Sequence, residues 1–312
     1  MNSSKPKGII FTDFDGTLFD SNRIIVPENY AALEKAGRQG YLRVIATGRS
    51  LFSFRRAAAG LERRIENYID YLIFSSGAGT LRCLPGILEP EAELDEYSLI
   101  EAEALDGISA FTAADLLYHH GIDFMIHRKV PENHRFTHIK ANGAVNPDYY
   151  RRIRIYSDYA SLFKPSDNES DLEAIERICY QGVSQLVAVI PPEADRASDN
   201  YAAELLEYLR LKLPECSVIR TTSPIDHISL WIEVFNSDVS KSKASERLAR
   251  RMGLCAADCL AIGNDFNDED LLSWAGRGMT VSEAPEIMRA KYPSSGPAAE
   301  GAVSAAVIDF IR

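Results

Sequence analysis

Short apolar runs alternate with amphipathic stretches at both ends of the chain. Residues 8–13 read as a buried strand closing on Asp13, and residues 41–46 and 71–74 as two more. Between them, residues 27–40 and 51–61 read as helices, with Pro27 suited to a first helical turn. The alternation returns late. Ala244, Leu248 and Met252 fall at i, i+4 and i+8, on one face of a helix with Asp238 as its expected N-cap and Gly253 just past its end. Residues 259–262 and 278–281 read as strands, and 268–275 and 302–311 as helices. Apolar strands separated by such helices predict a parallel sheet covered on both faces.

The middle of the chain differs. It is richer in Tyr, His and Arg and has longer polar connections. Ile228, Leu230, Ile232 and Val234 alternate with His227, Ser229, Trp231 and Glu233, the pattern of a half-exposed strand in an antiparallel sheet. The expected fold is therefore α/β: a Rossmann-like three-layer core with a parallel sheet, plus an inserted α+β domain. The expected bounds are residues 1–82 and 236–312 for the core and 83–235 for the insertion. A chain of 312 residues, 46% hydrophobic and 25% charged, suits two such soluble units.

Charge and cysteine content narrow the classes. A net charge of −11 disfavours binding to a nucleic-acid backbone. It also means that a phosphate site must carry positive charge of its own. No apolar run approaches the roughly 20 residues of a membrane helix, and the first residues lack the apolar core of a signal peptide. Five cysteines, with no CxxC and no completed zinc set, read as reduced thiols, and the expected location is cytoplasmic.

Four strand-end segments carry candidate chemistry. In Phe11-Thr12-Asp13-Phe14-Asp15-Gly16-Thr17, two carboxylates two residues apart share one side of a strand end, and Gly16 lets an anion approach the backbone. A solvated Asp-Gly turn is the plain alternative. In Ala46-Thr47-Gly48-Arg49, a hydroxyl and backbone N–H groups can bind a phosphate oxygen, or Thr47 can be a simple cap. Lys241 opens a helix whose dipole disfavours a cation there, which marks it out. Gly263-Asn264-Asp265-Phe266-Asn267-Asp268 is an oxygen-rich loop suited to a hard cation, or an Asx-rich turn.

Together, in order, spacing and strand-end placement, these segments resemble the haloacid dehalogenase superfamily, and most closely its Cof-type phosphatases with a large α+β cap. Ser76-Gly77-Ala78 and Gly301-Ala302-Val303 resemble that branch's turns after the third strand and near the C-terminus. The resemblance implies an Mg²⁺-dependent phosphomonoester hydrolase. Asp13 is then the nucleophile, Asp15 the general acid and base, and Thr47 and Lys241 the groups that hold and neutralise phosphate. Gly16 and Gly48 help to bind it. Asp13, Asp15 through its carbonyl, and the loop of Asn264, Asp265 and Asp268 hold the metal. The family usually has Gly-Asp-x-x-Asn-Asp in that loop, and here the first acidic position is Asn264.

The implied partner is a small phosphorylated metabolite, a sugar phosphate by default. Neither nucleic acid nor membrane is implied, and the chain is expected to act as a monomer or homodimer. The insertion is expected to act as a cap that contacts the leaving group. Its cationic stretch, His127 to Lys140, reads as a solvated face, Arg151, Arg152 and Arg154 as surface, and Trp231 as buried within the cap. Two rivals remain: a phosphotransferase of the phosphomannomutase type, and a phosphate-binding regulator with weakened catalysis. Retention of Asp15 together with Thr47 and Lys241 argues against the regulator.

Overall fold

The computed structural model describes residues 5–95, 97–141, 146–191, 197–223, 225 and 228–312. His227, read above as part of an alternating strand, lies outside them. In chain order the first elements are β1 (Ile9–Thr12), α1 (Pro27–Arg38), β2 (Leu42–Ala46), α2 (Leu51–Ala58), β3 (Tyr71–Phe74), β4 (Gly79–Arg82) and β5 (Leu99–Ala102). Next come α3 (Gly107–His119), β6 (Phe124–Arg128), β7 (Phe136–Ile139), α4 (Pro147–Ile155), β8 (Ala160–Leu162), α5 (Asp171–Cys179), β9 (Val183–Ile190), α6 (Ala197–Lys212), β10 (Cys216–Thr222) and β11 (Leu230–Asn236). The last are α7 (Lys241–Arg251), β12 (Cys259–Gly263), α8 (Glu269–Trp274), β13 (Arg277–Thr280), α9 (Glu286–Lys291) and α10 (Ala302–Phe310).

The chain divides into two compact units, residues 1–101 with 240–312, and residues 102–239. The first carries a seven-stranded sheet in the order β13-β12-β1-β2-β3-β4-β5. β1 pairs in parallel with both β12 and β2, so the strand that ends at Asp13 is central. Ile9, Phe11, Val44, Ala46 and Ile73 pack with Ala244 and Leu248 of α7 and Leu271 and Leu272 of α8. Helices α1 and α10 pack together and against β2 and β12 respectively. With both faces covered, β1 reads as a continuous apolar run.

The unit boundaries differ from the sequence reading at both ends. Residues 83–101 lie in the first unit because β4 pairs antiparallel with β3 and β5 continues the same sheet. Residues 236–239 lie in the second. The helix carrying Lys241 is capped by Ser240, whose side chain accepts from the Lys243 N–H, and not by Asp238.

The second unit is a six-stranded sheet in the order β10-β11-β9-β6-β7-β8, antiparallel except for β7 with β8. One face packs Ala113, Leu117, Ile175 and Leu209 of α3, α5 and α6 against Phe124, Leu186 and Ile232. The other packs Tyr149 of α4 with Met125, Phe136, Val187, Val189 and Trp231. That second layer corrects the half-exposed reading of β11, since Leu230 through Phe235 are all buried.

It also corrects part of the cationic stretch. His127 is only 1% exposed, and its Nδ1 lies 2.6 Å from the Asn133 carbonyl. Arg152, expected at the surface, lays its guanidinium 4.4 Å from the Trp231 ring, beside Phe136 and Tyr156. The Trp231 indole N–H donates to Asp148 Oδ2 at 2.7 Å. Arg128, Lys129, Arg151 and Arg154 are exposed as read.

Burial, with Arg152 next in weight, pushes the His127 imidazole from 6.5 down to about 3. Folded, it stays neutral through mild acid, whereas unfolded it takes up a proton below its ordinary value. The contribution is complete above that value and is lost as pH falls from 6.5 toward 3. Going from pH 6.5 to 5 should cost the second unit about 2 kcal/mol through this group alone. In a Trp274→Phe background, fluorescence of Trp231 followed through urea titrations at the two pH values measures it. His127→Gln should remove most of the difference.

Candidate active site

The site forms where β1 ends. The Asp13 N–H donates to the Ile262 carbonyl at 2.8 Å, tying this strand end to β12. The chain then turns tightly, the Gly16 and Phe19 N–H groups donating to Phe19 O and Phe14 O. Gly16 takes φ +77°, and a Cβ there would stand 2.5 Å from the Asn264 carboxamide. The turn therefore requires glycine for conformation and for clearance.

Asp13 is nearly buried, and Lys241 reaches it from the first turn of α7. Lys241 Nζ donates to Asp13 Oδ1 at 2.7 Å and to Asp268 Oδ1 at 2.5 Å. Burial and the neighbouring Asp268 charge push the Asp13 carboxyl up to about 7, against the pull of Lys241. Burial acts to lower the Lys241 ammonium, but Asp13 and Asp268 outweigh it and raise it, so the lysine stays charged. The two carboxylates are what hold a cation against the helix dipole noted in the sequence.

Asp268 has no oxygen to spare. Its Oδ2 accepts from the Asn264 and Asp265 N–H groups at 2.9 and 3.1 Å, and the residue is fully buried. It shapes the loop and orients Lys241. Asp265 Oδ1 accepts from the Phe266 N–H at 2.8 Å. Asn264 is the loop residue whose side chain meets β1. With its nitrogen turned inward it lies 3.1 Å from the Asp15 carbonyl, 3.3 Å from Asp13 Oδ2 and 3.2 Å from Thr17 Oγ1. The acceptors around it select that orientation.

Asp15 points outward, its side chain 47% exposed. Arg49 grips it through two parallel bonds of 2.6 Å, Nε to Oδ2 and Nη2 to Oδ1. In the sequence, Arg49 stands within the Thr47 segment with no signal that assigns it a role. Thr47 follows β2, beside β1 in register, and is buried, its Oγ1 accepting from the Arg49 N–H. Gly48 follows in the same turn. Across the loop, Gly77 has φ +105°, and a Cβ there would lie 2.3 Å from the Ser240 carbonyl. The Ser76-Gly77 turn thus seats the helix end that carries Lys241.

One supporting contact had no signal in the sequence. Asp270 Oδ2 accepts from the Ser242 N–H at 3.1 Å and the Ser242 hydroxyl at 2.7 Å. Its Oδ1 accepts from the Leu271 N–H at 2.8 Å. It caps α7 from outside, beside Lys241. Asp270→Ala should lower stability by about 1–2 kcal/mol in chemical denaturation, with Asp270→Asn losing clearly less.

Among the described residues, no three His, Cys, Asp or Glu side chains form a group that could hold a metal ion. The convergence at β1 is of another kind, combining one carboxylate oxygen, one main-chain carbonyl and one carboxamide. Its spacings of 3.1 and 3.3 Å are near the roughly 3 Å between adjacent ligands of an octahedral ion with bonds of about 2.1 Å. A hard cation that keeps several waters fits this set.

A family profile described as haloacid dehalogenase-like hydrolase matches residues 10–293. The chain belongs to that family and is an enzyme of the hydrolase class. It is 24% identical over 294 residues to "Phosphatase YwpJ" of Bacillus subtilis, covering 90% of this chain and 91% of that one. It is 22% identical over 295 residues to "5-amino-6-(5-phospho-D-ribitylamino)uracil phosphatase YwtE" of the same organism, 90% of each chain being covered. Among solved structures, the subclass IIB sugar phosphatase BT4131 matches with a TM-score of 0.68 at 19% identity, over 98% of this chain and 100% of that one. Among the described residues, no helix is long and apolar enough to cross a membrane.

Proposed function

We propose that this chain is an Mg²⁺-dependent phosphatase that hydrolyses phosphomonoesters of small metabolites through an aspartyl-phosphate on Asp13. The observation that carries it is the buried Lys241 bridging Asp13 and Asp268 beside the Asp13 and Asp15 oxygens on which the Asn264 carboxamide converges. A nucleophile so placed needs no base once ionised. Its obstacles are its own burial and the negative charge of the phosphate. Lys241 offsets both, and carries charge on the transferring phosphoryl group. Bound through Asp13, the Asp15 carbonyl and Asn264, the metal supplies further positive charge to the same oxygens.

Asp13 attacks phosphorus, the ester bond breaks, and Asp15 gives its proton to the leaving oxygen. Asp15 then takes a proton from the water that attacks the phosphoenzyme, and phosphate leaves. Arg49 holds Asp15 at the outer side of the strand end and has to release it when it takes a proton. Thr47, with the turn at Gly48 and the backbone at Gly16, receives phosphate oxygens. Asp265 and Asp268 support the metal loop. The second unit acts as the cap that selects the leaving group. The five cysteines are all free, which suits a reducing cytoplasm.

The substrate class is a polyhydroxylated phosphate, such as a sugar phosphate. The named ribitylamino-uracil phosphatase and the sugar phosphatase support that choice. The test is phosphate release from a panel of phosphomonoesters, in Mg²⁺ or in EDTA. Release that needs Mg²⁺ and favours sugar phosphates is expected. Transfer to a second sugar in place of release would instead identify a phosphotransferase.

A further inference from the structure

Asn264 is uncharged, yet its carboxamide stands where the oxygens of Asp13 and Asp15 converge. Turned inward, its nitrogen is within 3.3 Å of Asp13 Oδ2 and 3.1 Å of the Asp15 carbonyl. These are the two oxygens that the proposed metal would use, and an N–H donor and a cation compete for them. The two ends of a carboxamide are nearly the same size, and the torsion that exchanges them is soft.

Thr17 has a bond to offer either end. Its hydroxyl lies 3.2 Å from the inner end of the Asn264 carboxamide, donating to Oδ1 in one orientation and, in the other, sharing one of the two N–H hydrogens with Asp13 and the Asp15 carbonyl. Thr17 is fully buried and cannot turn to solvent instead. The Asn264 backbone is pinned by Asp268, so the exchange is confined to the side chain.

We propose that the Asn264 carboxamide is a reversible latch on the metal site. With its nitrogen inward it holds Asp13 and the Asp15 carbonyl together. A divalent cation binds as the carboxamide turns over and presents its oxygen. This rests on the Mg²⁺ reading above and adds a regulatory consequence. The cation must displace two hydrogen bonds and gains a neutral ligand, so it binds weakly and the enzyme responds to cation concentration. A carboxylate at this position would lack the donor and add charge, reversing both effects.

The experiment uses the full chain with MgCl₂ alone. In calorimetric titration, Asn264→Asp should bind Mg²⁺ at least about tenfold more tightly than wild type. In EDTA, Asn264→Asp should melt below wild type, since its carboxylate faces Asp13 Oδ2 and the Asp15 carbonyl without a donor. Excess Mg²⁺ should restore it.

A direct readout needs no folded variant of that charge. The Asn264 side-chain NH₂ resonances, identified by their loss in Asn264→Ala, should shift saturably as MgCl₂ is added to wild type. Resonances that stay put while calorimetry shows Mg²⁺ binding would overturn the latch and leave the metal reading standing. Equal affinity and equal melting in EDTA for wild type and Asn264→Asp would also overturn it. No Mg²⁺ binding by wild type, with phosphate release continuing in EDTA, would remove the metal reading and the latch together.

Discussion

Asp13→Asn is expected to abolish phosphate release, by at least about 10⁴-fold, while leaving the protein as stable as before or more so. The amide keeps the shape of the side chain and its bond to Lys241, but it cannot form the acyl phosphate. Stability is expected to hold because the native carboxylate is costly where it stands. Burial and Asp268 both disfavour its charge. In the variant Lys241 still has Asp268 at 2.5 Å, a balanced pair. A site group that weakens the fold it serves is a familiar compromise between activity and stability. Thermal melting beside a phosphate-release assay reads both halves. A variant that turns over at more than a few per cent of wild type would place the nucleophile elsewhere.

Lys241→Met is expected to fail on both counts. It leaves Asp13 and Asp268 facing each other, both buried, with no cation between them. Removing one partner from such a buried set costs about 3–5 kcal/mol. Loss of the charge on the transferring phosphoryl group should also lower turnover by at least about 10²-fold. Lys241→Arg keeps the charge in a larger, planar head, and should recover part of the stability but little turnover. Urea denaturation of the three proteins in a Trp231→Phe background, followed through Trp274 in the first unit, tests the stability claim. A methionine variant as stable as wild type would mean that the carboxylates are not both ionised in the native state.

The strand ends were legible because their chemistry is written locally. Asp13 and Asp15 two apart, Thr47-Gly48 after a second apolar run, and the Asn264 loop after another each combine a buried strand with an abrupt polar turn. Lys241 was visible because it violates the dipole rule at its helix start. What the sequence withheld depends on distant partners. Arg49 reaches across 34 positions to Asp15, and Asp270 across 28 to Ser242, with no periodicity to announce either. Nor does the sequence show that Asp268 spends both oxygens inside the protein, on Lys241 and on two backbone N–H groups.

In the second unit the sequence pattern misleads at specific places for a related reason. The alternation along β11 implies one wet face. It cannot reveal that α4, some 80 positions earlier, supplies Tyr149 and a Trp231–Asp148 bond on that side. By residue type His127 and Arg152 read as solvated, but aromatic neighbours and a carbonyl partner make burial tolerable. The first core segment ends at residue 101 and not 82 because β5 adds to the sheet beyond β4, a pairing that a short run such as Leu99–Ala102 does not announce.

The central claim is the covalent step on Asp13, and it has a direct measurement. Asp15→Asn removes both the acid for the leaving oxygen and the group that activates water, so with p-nitrophenyl phosphate, whose leaving group needs no proton, the phosphoenzyme should form and accumulate. The variant is mixed with Mg²⁺ and that ester carrying ³²P, quenched in acid, and digested for peptide mapping. The account predicts close to one phosphoryl group per chain, on the peptide containing Asp13 and released by hydroxylamine. No label on any peptide, from a variant that binds the ester and an enzyme that turns it over, would contradict it.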